Sequence, residues 1–398
     1  MQNVEKLDRS WLDRMNEEDT SADDYLSDDS VAKGNEKVYV ASYLQLMWWR
    51  FLKHRLAVIS AVIILLLYTI AIFAEFVAPY IPDNSFVQYK LAPPTRVHII
   101  DSEGNLRRPF VYKAKREKDP ETLRNIYKED TSTIYPIRFF VQGPEYEMWG
   151  RWPMTRHLYG IDAPMTEQGL FLIGADRLGR DLFSRICYGA RISLTIGLVS
   201  VFVSLVVGLL LGGISGFYGG AIDNAIQRLI EFIRSIPDIP LFMALAAALP
   251  ADLPTVQLYF GITIVLAFVN WTGLARVVRG RFLSLREEDF VMAAKLSGSS
   301  QMRIIIRHMM PSFLSHIIAS LTLSIPGIIL SETGLSFIGL GLRAPAISWG
   351  VLLQEAQNVR SIALAPWVLT PAIAVIITVM AFNFLGDGIR DAADPYAK

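Results

Sequence analysis

The chain has a single cysteine, Cys187. One thiol excludes an internal disulfide framework and any thiolate metal cluster, and leaves Cys187 to pack as a small apolar side chain. Charge is scarce: 19% of residues are Asp, Glu, Lys or Arg against 52% hydrophobic, too apolar for an ordinary soluble enzyme. No Gly-x-x-x-x-Gly-Lys-Ser/Thr phosphate loop occurs, and the glycine-rich run 212–220 lacks the lysine, so a nucleotide-driven step would need another chain. The five histidines are scattered, and the nearest pair in membrane-adjacent sequence, His308 and His316, makes a poor metal site. No paired carboxylates or nucleophile–base set lies in or beside the apolar runs, so no catalytic activity is expected, nor a nucleic-acid partner. The N-terminus is acidic and polar and the first apolar run begins only after residue 55, so that run is read as an uncleaved anchor.

Spanning a bilayer takes about 20 largely uncharged helical residues. Five runs qualify without any Asp, Glu, Lys or Arg: 56–74, 192–217, 253–275, 312–331 and 361–385. A sixth, ending near Pro250, is weaker, because its charge-free part starts only at Ile239. Basic residues near span ends mark the cytoplasmic side. Arg50, Lys53 and Arg55 place the N-terminus inside, and so do Arg276, Arg279, Arg281, Arg286, Lys295, Arg303 and Arg307 for the segment between the third and fourth clean runs. Two cytoplasmic points are separated by an even number of crossings, so the weak run must cross. It is expected as a helix from near Ile222 that tolerates Asp223, Arg228, Glu231 and Arg234. The expectation is six helices with both termini in the cytoplasm. Within them His316 is the one central ionisable group, which disfavours an ion-coupled carrier or channel, the main rival reading.

Gly208, Gly212, Gly216 and Gly220 recur at four-residue spacing in the second helix, a stripe that lets backbones approach closely, whether beside a transport path or in ordinary bundle packing. Residues 17–29 hold seven acids and no base, so 1–36 reads as a disordered tail. The stretch 39–51 is amphipathic and is placed along the inner membrane surface. The long insert before the second helix reads as a small, mainly β, extracytoplasmic domain. A hairpin is expected around Ser102-Glu103-Gly104-Asn105, and a strand over 131–142 that Gly143-Pro144 stops. Docking a substrate-binding protein and bracing the helices are both open roles for it.

Between 287 and 311, Asp289 is expected to cap a helix whose face carries Phe290, Ala293, Ala294 and Ser297, and Gly298 to end it. Ser299 or Ser300 then caps a second short helix with Arg303 and Arg307 on one face, and Pro311 opens the next span. Two readings fit: a basic knob that seats in a partner's groove, and a loop that binds anionic lipid.

Ala293-Ala294, Gly298 four residues on and Pro311 later resemble the coupling-loop signature of ABC importer permeases, with Met292 where that family has Glu. Gly174-Ala175-Asp176-Arg177-Leu178-Gly179-Arg180-Asp181, then Ser184-Arg185 and Gly189-Ala190-Arg191, are similar to the dipeptide, oligopeptide and nickel branch. So are Leu335-Ser336-Phe337-Ile338-Gly339-Leu340-Gly341, Trp349-Gly350 and the ending 383–395. The resemblance covers 171–398. It implies the type I importer fold, and with the readings above the chain is expected to be an all-α membrane protein of six transmembrane helices with a small mainly β extracytoplasmic insert, which lies outside the resemblance. It implies a multi-pass prokaryotic inner-membrane permease for dipeptides or oligopeptides, with nickel or another small solute as alternatives. The implied partners are a second homologous permease subunit, two cytoplasmic ATPase subunits carrying ATP and Mg, an extracytoplasmic substrate-binding protein and membrane lipid. The implied ATPase contacts are Asp289, Ala293, Ala294, Gly298 and Arg307, while Gly208, Gly212 and Gly216 are assigned to helix packing. The chain then divides into an acidic tail (1–36), an amphipathic segment (37–55), a first span (56–78), the insert (79–188), a five-helix core (189–389) with its coupling loop (276–311), and a cytoplasmic tail (390–398).

Overall fold

A computed structural model describes residues 43–118, 120, 125–164, 167–250 and 252–393. The acidic tail expected over 1–36 lies outside the described residues. Helix α1 (Tyr43–Lys53) covers the described part of the amphipathic segment and ends on Arg50 and Lys53. A one-residue break follows at His54, whose Nδ1 accepts the Ala57 N–H at 3.1 Å and so caps α2 (Arg55–Ile72).

The insert is a four-stranded antiparallel sheet in simple order, β1 (His98–Ile100), β2 (Leu106–Lys118), β3 (Asn125–Met148) and β4 (Trp152–Ile161). The β1–β2 hairpin forms at the expected turn, where the Asp101 carboxylate accepts the Glu103 and Asn105 N–H groups. Gly143-Pro144 does not stop β3. The strand runs through it to Met148 and shifts register between Gln142 and Tyr146. Proline has no N–H for the ladder, and the shift accommodates it. His157 fills the gap, with Nε2 3.0 Å from the Pro144 carbonyl and its ring where a side chain at Gly143 would stand.

Five helices among the described residues are long and apolar enough to cross a membrane: α2, α3 (Leu182–Tyr218), α6 (Thr255–Leu285), α8 (Leu314–Phe337) and Pro366–Ala393, which contains α10 (Thr370–Ala393). The continuous helix expected from Ile222 is instead two, α4 (Gly220–Arg234) and α5 (Asp238–Ala247). Pro237 causes the break, since it donates no N–H and pushes the residue before it out of helical geometry. Alone, α5 is roughly 15 Å long, half a bilayer core, whereas α4 and α5 together supply enough helix for one crossing.

Helices α3 and α6 run parallel along a seam of small residues. Ser200 and Ser204 Oγ donate to the Thr263 and Ala267 carbonyls. A Cβ at Gly208 would stand 3.0 Å from Leu274, at Gly212 2.5 Å from the Ala275 carbonyl oxygen, and at Gly216 2.7 Å from that of Arg279. The four-residue stripe therefore runs from 200 to 216, and small residues let the two backbones touch. Gly220 is not part of it: it opens α4 at φ 58 and a Cβ there would meet nothing. On the other flank α8 packs on α10, with Gly386 against Leu323, and α10 on α2, with Gly388 against Ala57.

Candidate functional site

The segment between α6 and α8 is anchored on one side and bare on the other. Helix α7 (Asp289–Leu296) starts from Glu288, so Asp289 stands in its first turn, where a carboxylate complements the helix dipole, and is not the cap. The Ser299 N–H reaches the Ala294 carbonyl (3.1 Å) and the Gly298 N–H that of Lys295 (3.0 Å), around Gly298 at φ 74. This is a Schellman stop, and only glycine adopts that backbone cheaply. Ser300 precedes a short turn, Gln301–Arg303, which passes into a wide π turn, Ile304–Met309, before Pro311 and the start of α8.

Val291, Ile304 and Met309 are fully buried against Leu274, Val278, Phe282, Phe313 and Ile317, which fixes the segment to the ends of the membrane helices. Asp289, Ala293, Gly298 and Arg307 are exposed and Ala294 is half-buried. Of the apolar residues beside them, the expectation named Phe290 and Met292 but passed over Leu296, Met302 and Ile306. Leu296 is 87% exposed and Met302 64%, with Phe290, Met292 and Ile306 also exposed. These apolar side chains stand exposed on a charged loop whose buried residues pack on α6 and α8. The signal in the sequence was their lack of a role in any buried face.

At the α4–α5 break the structure brings together residues that hydropathy scored only as defects. Arg234, the last residue of α4, and Asp238, the first of α5, line one cavity of about 320 Å³ with Ser204, Asn270, Thr272, Ser320 and Ser324. Both charges are exposed and make no ion pair with a described residue. At the N-terminal end of α4, by contrast, Asp223 is held by the Arg279 guanidinium through two 2.6 Å hydrogen bonds and by Ser215.

His316 is not the sole ionisable group in the spans. Glu332, one residue past the run that ended at Ser331, lies in α8 with 0% exposure. Ser336 and Ser348 Oγ donate to its Oε1 at 2.8 Å each, and Ser193 Oγ approaches Oε2 at 3.4 Å. Each of those hydroxyls in turn accepts a backbone N–H, from Leu342, Val351 and Trp349 respectively. The carboxylate thus ties α3, α8 and the short helix α9 (Trp349–Gln354) into one polar knot. Gly341 and Gly350 are needed beside it, because a Cβ on either would strike Ser336.

The stretch 174–191 forms a second clamp. Asp176 Oδ1 accepts the Leu178 and Arg180 N–H groups and its Oδ2 the Arg180 Nε, while Arg180 reaches Glu355. Gly179 at φ 80 lies against the Phe86 carbonyl and Gly174 at φ 97 against the Trp367 ring. Arg191 grips Glu75 at 2.7 and 2.8 Å and the last carbonyls of α2.

Long apolar helices, a small-residue seam, a broken helix beside a polar cavity and an exposed basic loop anchored on the same helices define a polytopic membrane permease. The comparisons agree. Residues 208–398 match the family described as binding-protein-dependent transport system inner membrane component, and 42–94 match the N-terminal TM domain of oligopeptide transport permease C. The glutathione transport system permease protein GsiD of Shigella flexneri is 34% identical over 352 residues, 88% of this chain and 90% of that one. The protein of the same name from Escherichia coli is 32% identical over the same shares. Among solved structures, the inward-facing MetNI methionine ABC transporter aligns with 52% of this chain and 96% of its own at 19% identity and a TM-score of 0.42. The chain belongs to the family of inner-membrane permease subunits of binding-protein-dependent ABC import systems, in its peptide-type branch. It is a multi-pass membrane protein, and membership implies ATPase and substrate-binding partners.

Proposed function

We propose that this chain forms half of the translocation pathway of an ATP-driven importer of dipeptides or oligopeptides and docks a cytoplasmic ATPase through residues 287–311. In this reading both termini are cytoplasmic and the sheet insert is extracytoplasmic. A second, homologous permease completes the pore, two ATPase subunits bind ATP and Mg, and a binding protein delivers the substrate. The chain itself catalyses nothing. ATP closure moves the docked loop, and the anchored helices tilt with it between two rigid-body states.

The observation that carries this is Leu296, almost wholly exposed beside Phe290, Met292, Ala293 and Met302 on a loop locked to α6 and α8 by Val291, Ile304 and Met309. A lipid-binding loop would need only its charges, whereas a rigid knob with an apolar tip suits a protein groove. The Arg234–Asp238 cavity supports the route and the substrate class. An exposed charge well inside a span is costly unless it faces water or protein, and a peptide with free ends carries the two complementary charges. Glu332 is the kind of group an ion-coupled carrier needs, but its enclosure by three serines makes it a structural tie.

The test is capture of the purified ATPase by the intact permease. Leu296→Asp should weaken capture about 30-fold, the size of an interface hot spot of about 2 kcal/mol. Gly298→Ala, whose new Cβ meets nothing, should cost only about 1 kcal/mol of left-handed backbone strain and leave capture within a few fold. Undiminished capture by the Leu296 variant contradicts the docking assignment.

A further inference from the structure

The tip of the β3–β4 hairpin reaches back to the first membrane helix. Trp149 Nε1 donates to the carbonyl of Ile72, the last residue of α2, at 2.7 Å, and its ring lies 5.7 Å from that of Phe73. Trp152 meets Trp149 edge-on at 5.6 Å, and Phe140 stands 6.1 Å from Phe76. These rings are not core. Phe139 is 71% exposed and Phe140 63%, and Phe73, Trp149, Trp152 and Met154 are exposed as well. Phe140 and Trp149 hold positive φ, at 57° and 53°. Bulky residues adopt that backbone only when the surroundings impose it.

Depth identifies what covers the patch. Helix α2 is 18 residues long, roughly 27 Å, close to the thickness of the hydrocarbon core, so Ile72 sits at its edge. The exposed outer face of α2, with Ile59, Val62, Leu65 and Leu66, leads past Thr69 to Ile72 and Phe73 and then to the hairpin rings. The Arg191–Glu75 pair marks the same level from inside. Exposed Glu145, Glu147, Arg151 and Arg156 surround the rings with charge. Tryptophan and other aromatic rings beside charged groups at the end of a span are the composition of a membrane–water interface.

We propose that the β3–β4 hairpin is a membrane foot: Phe139, Phe140, Trp149 and Trp152 rest among the lipid headgroups of the leaflet where α2 ends and anchor the insert to the bilayer. The Trp149 indole thereby shares the Ile72 carbonyl with Arg191, whose Nη2 donates to it at 3.1 Å, and ties the hairpin to the end of α2. At the far end of the sheet the Tyr127 hydroxyl donates to the Gln88 and Lys90 carbonyls, a contact within the insert itself.

The test uses the complete importer in liposomes of phosphatidylethanolamine and phosphatidylglycerol, with nitroxide labels on a Cys187→Ala background at Phe139→Cys, Trp152→Cys and, as the aqueous reference, Asn125→Cys at the far end of β3. Labels at 139 and 152 should collide with oxygen several-fold more often than with a water-soluble nickel chelate, relative to the label at 125. Native tryptophan quenching by brominated phospholipids should also fall in Trp149→Phe/Trp152→Phe. Accessibility at 139 and 152 matching that at 125 overturns the proposal. Shielding from both reagents overturns it too, by assigning the patch to a protein partner. Neither result touches the transport reading, which rests on other residues.

Discussion

Asp181 caps α3 with Oδ2, which accepts the Ser184 N–H at 2.8 Å and its hydroxyl at 2.6 Å. Its Oδ1 is buried without a hydrogen-bond partner among the described residues. Burial pushes this carboxyl from an ordinary 3.8 up to about 7, with the Ser184 bonds opposing the shift. The folded protein therefore holds a proton that the unfolded chain has released between pH 4 and 7, so stability falls as pH rises through that window and is level above it. Asp181→Asn keeps an N-cap acceptor and removes the titration. Its thermal stability should be flatter than wild type between pH 4 and 7 and higher at pH 7.5. An identical pH profile in the two proteins would show that Asp181 stays ionised throughout.

Elements obeyed the sequence where one residue type dominates a surface and escaped it where the partner decides. The glycines at 208, 212 and 216 were legible because only the absence of a side chain lets α3 lie against α6, and their spacing marks one face. Gly298 was legible for a different reason, as a helix stop whose φ of 74 suits glycine. The α4–α5 break was hidden by hydropathy, which averages across Pro237, although the proline itself was the signal. Strand β4 went unseen because its first half, Trp152–Arg156, is exposed throughout and its alternation is confined to the last few residues. Glu332 was lost because a charge ends a charge-free run by definition, and of its three serines only Ser336 is a neighbour on the same helix, while Ser193 and Ser348 come from other segments. Glu332→Ala would leave three buried hydroxyls short of an acceptor and should cost roughly 3 kcal/mol, whereas Glu332→Gln, which still accepts from Ser336 and Ser348, should cost about 1. Thermal unfolding of the purified subunit checks the difference. Equal losses in the two variants would mean that charge rather than hydrogen-bond acceptance holds the knot.

On the scale of the whole molecule, the two polar knots, the seam and the loop anchor form a continuous rigid path. The loop core packs on Leu274, Val278 and Phe282 of α6, α6 lies along α3, and α3 meets α8 and α9 through Ser193 and Glu332. On the proposed coupling, a push at 289–309 would travel along this path to the helices around the Arg234–Asp238 cavity as rigid displacement. Apolar side chains on α4 and α5, among them Ile222, Leu229, Phe232 and Ile239, stand exposed, and the proposed second permease would cover them. That the exposed segment around Ala293 is the contact with the motor is the claim on which function turns. The most direct measurement places a photo-activatable cross-linker at Ala293→Cys on a Cys187→Ala background and activates it in the assembled importer. The account predicts a covalent adduct with the ATPase subunit; adducts with lipid or the binding protein, and none with the ATPase, would contradict it.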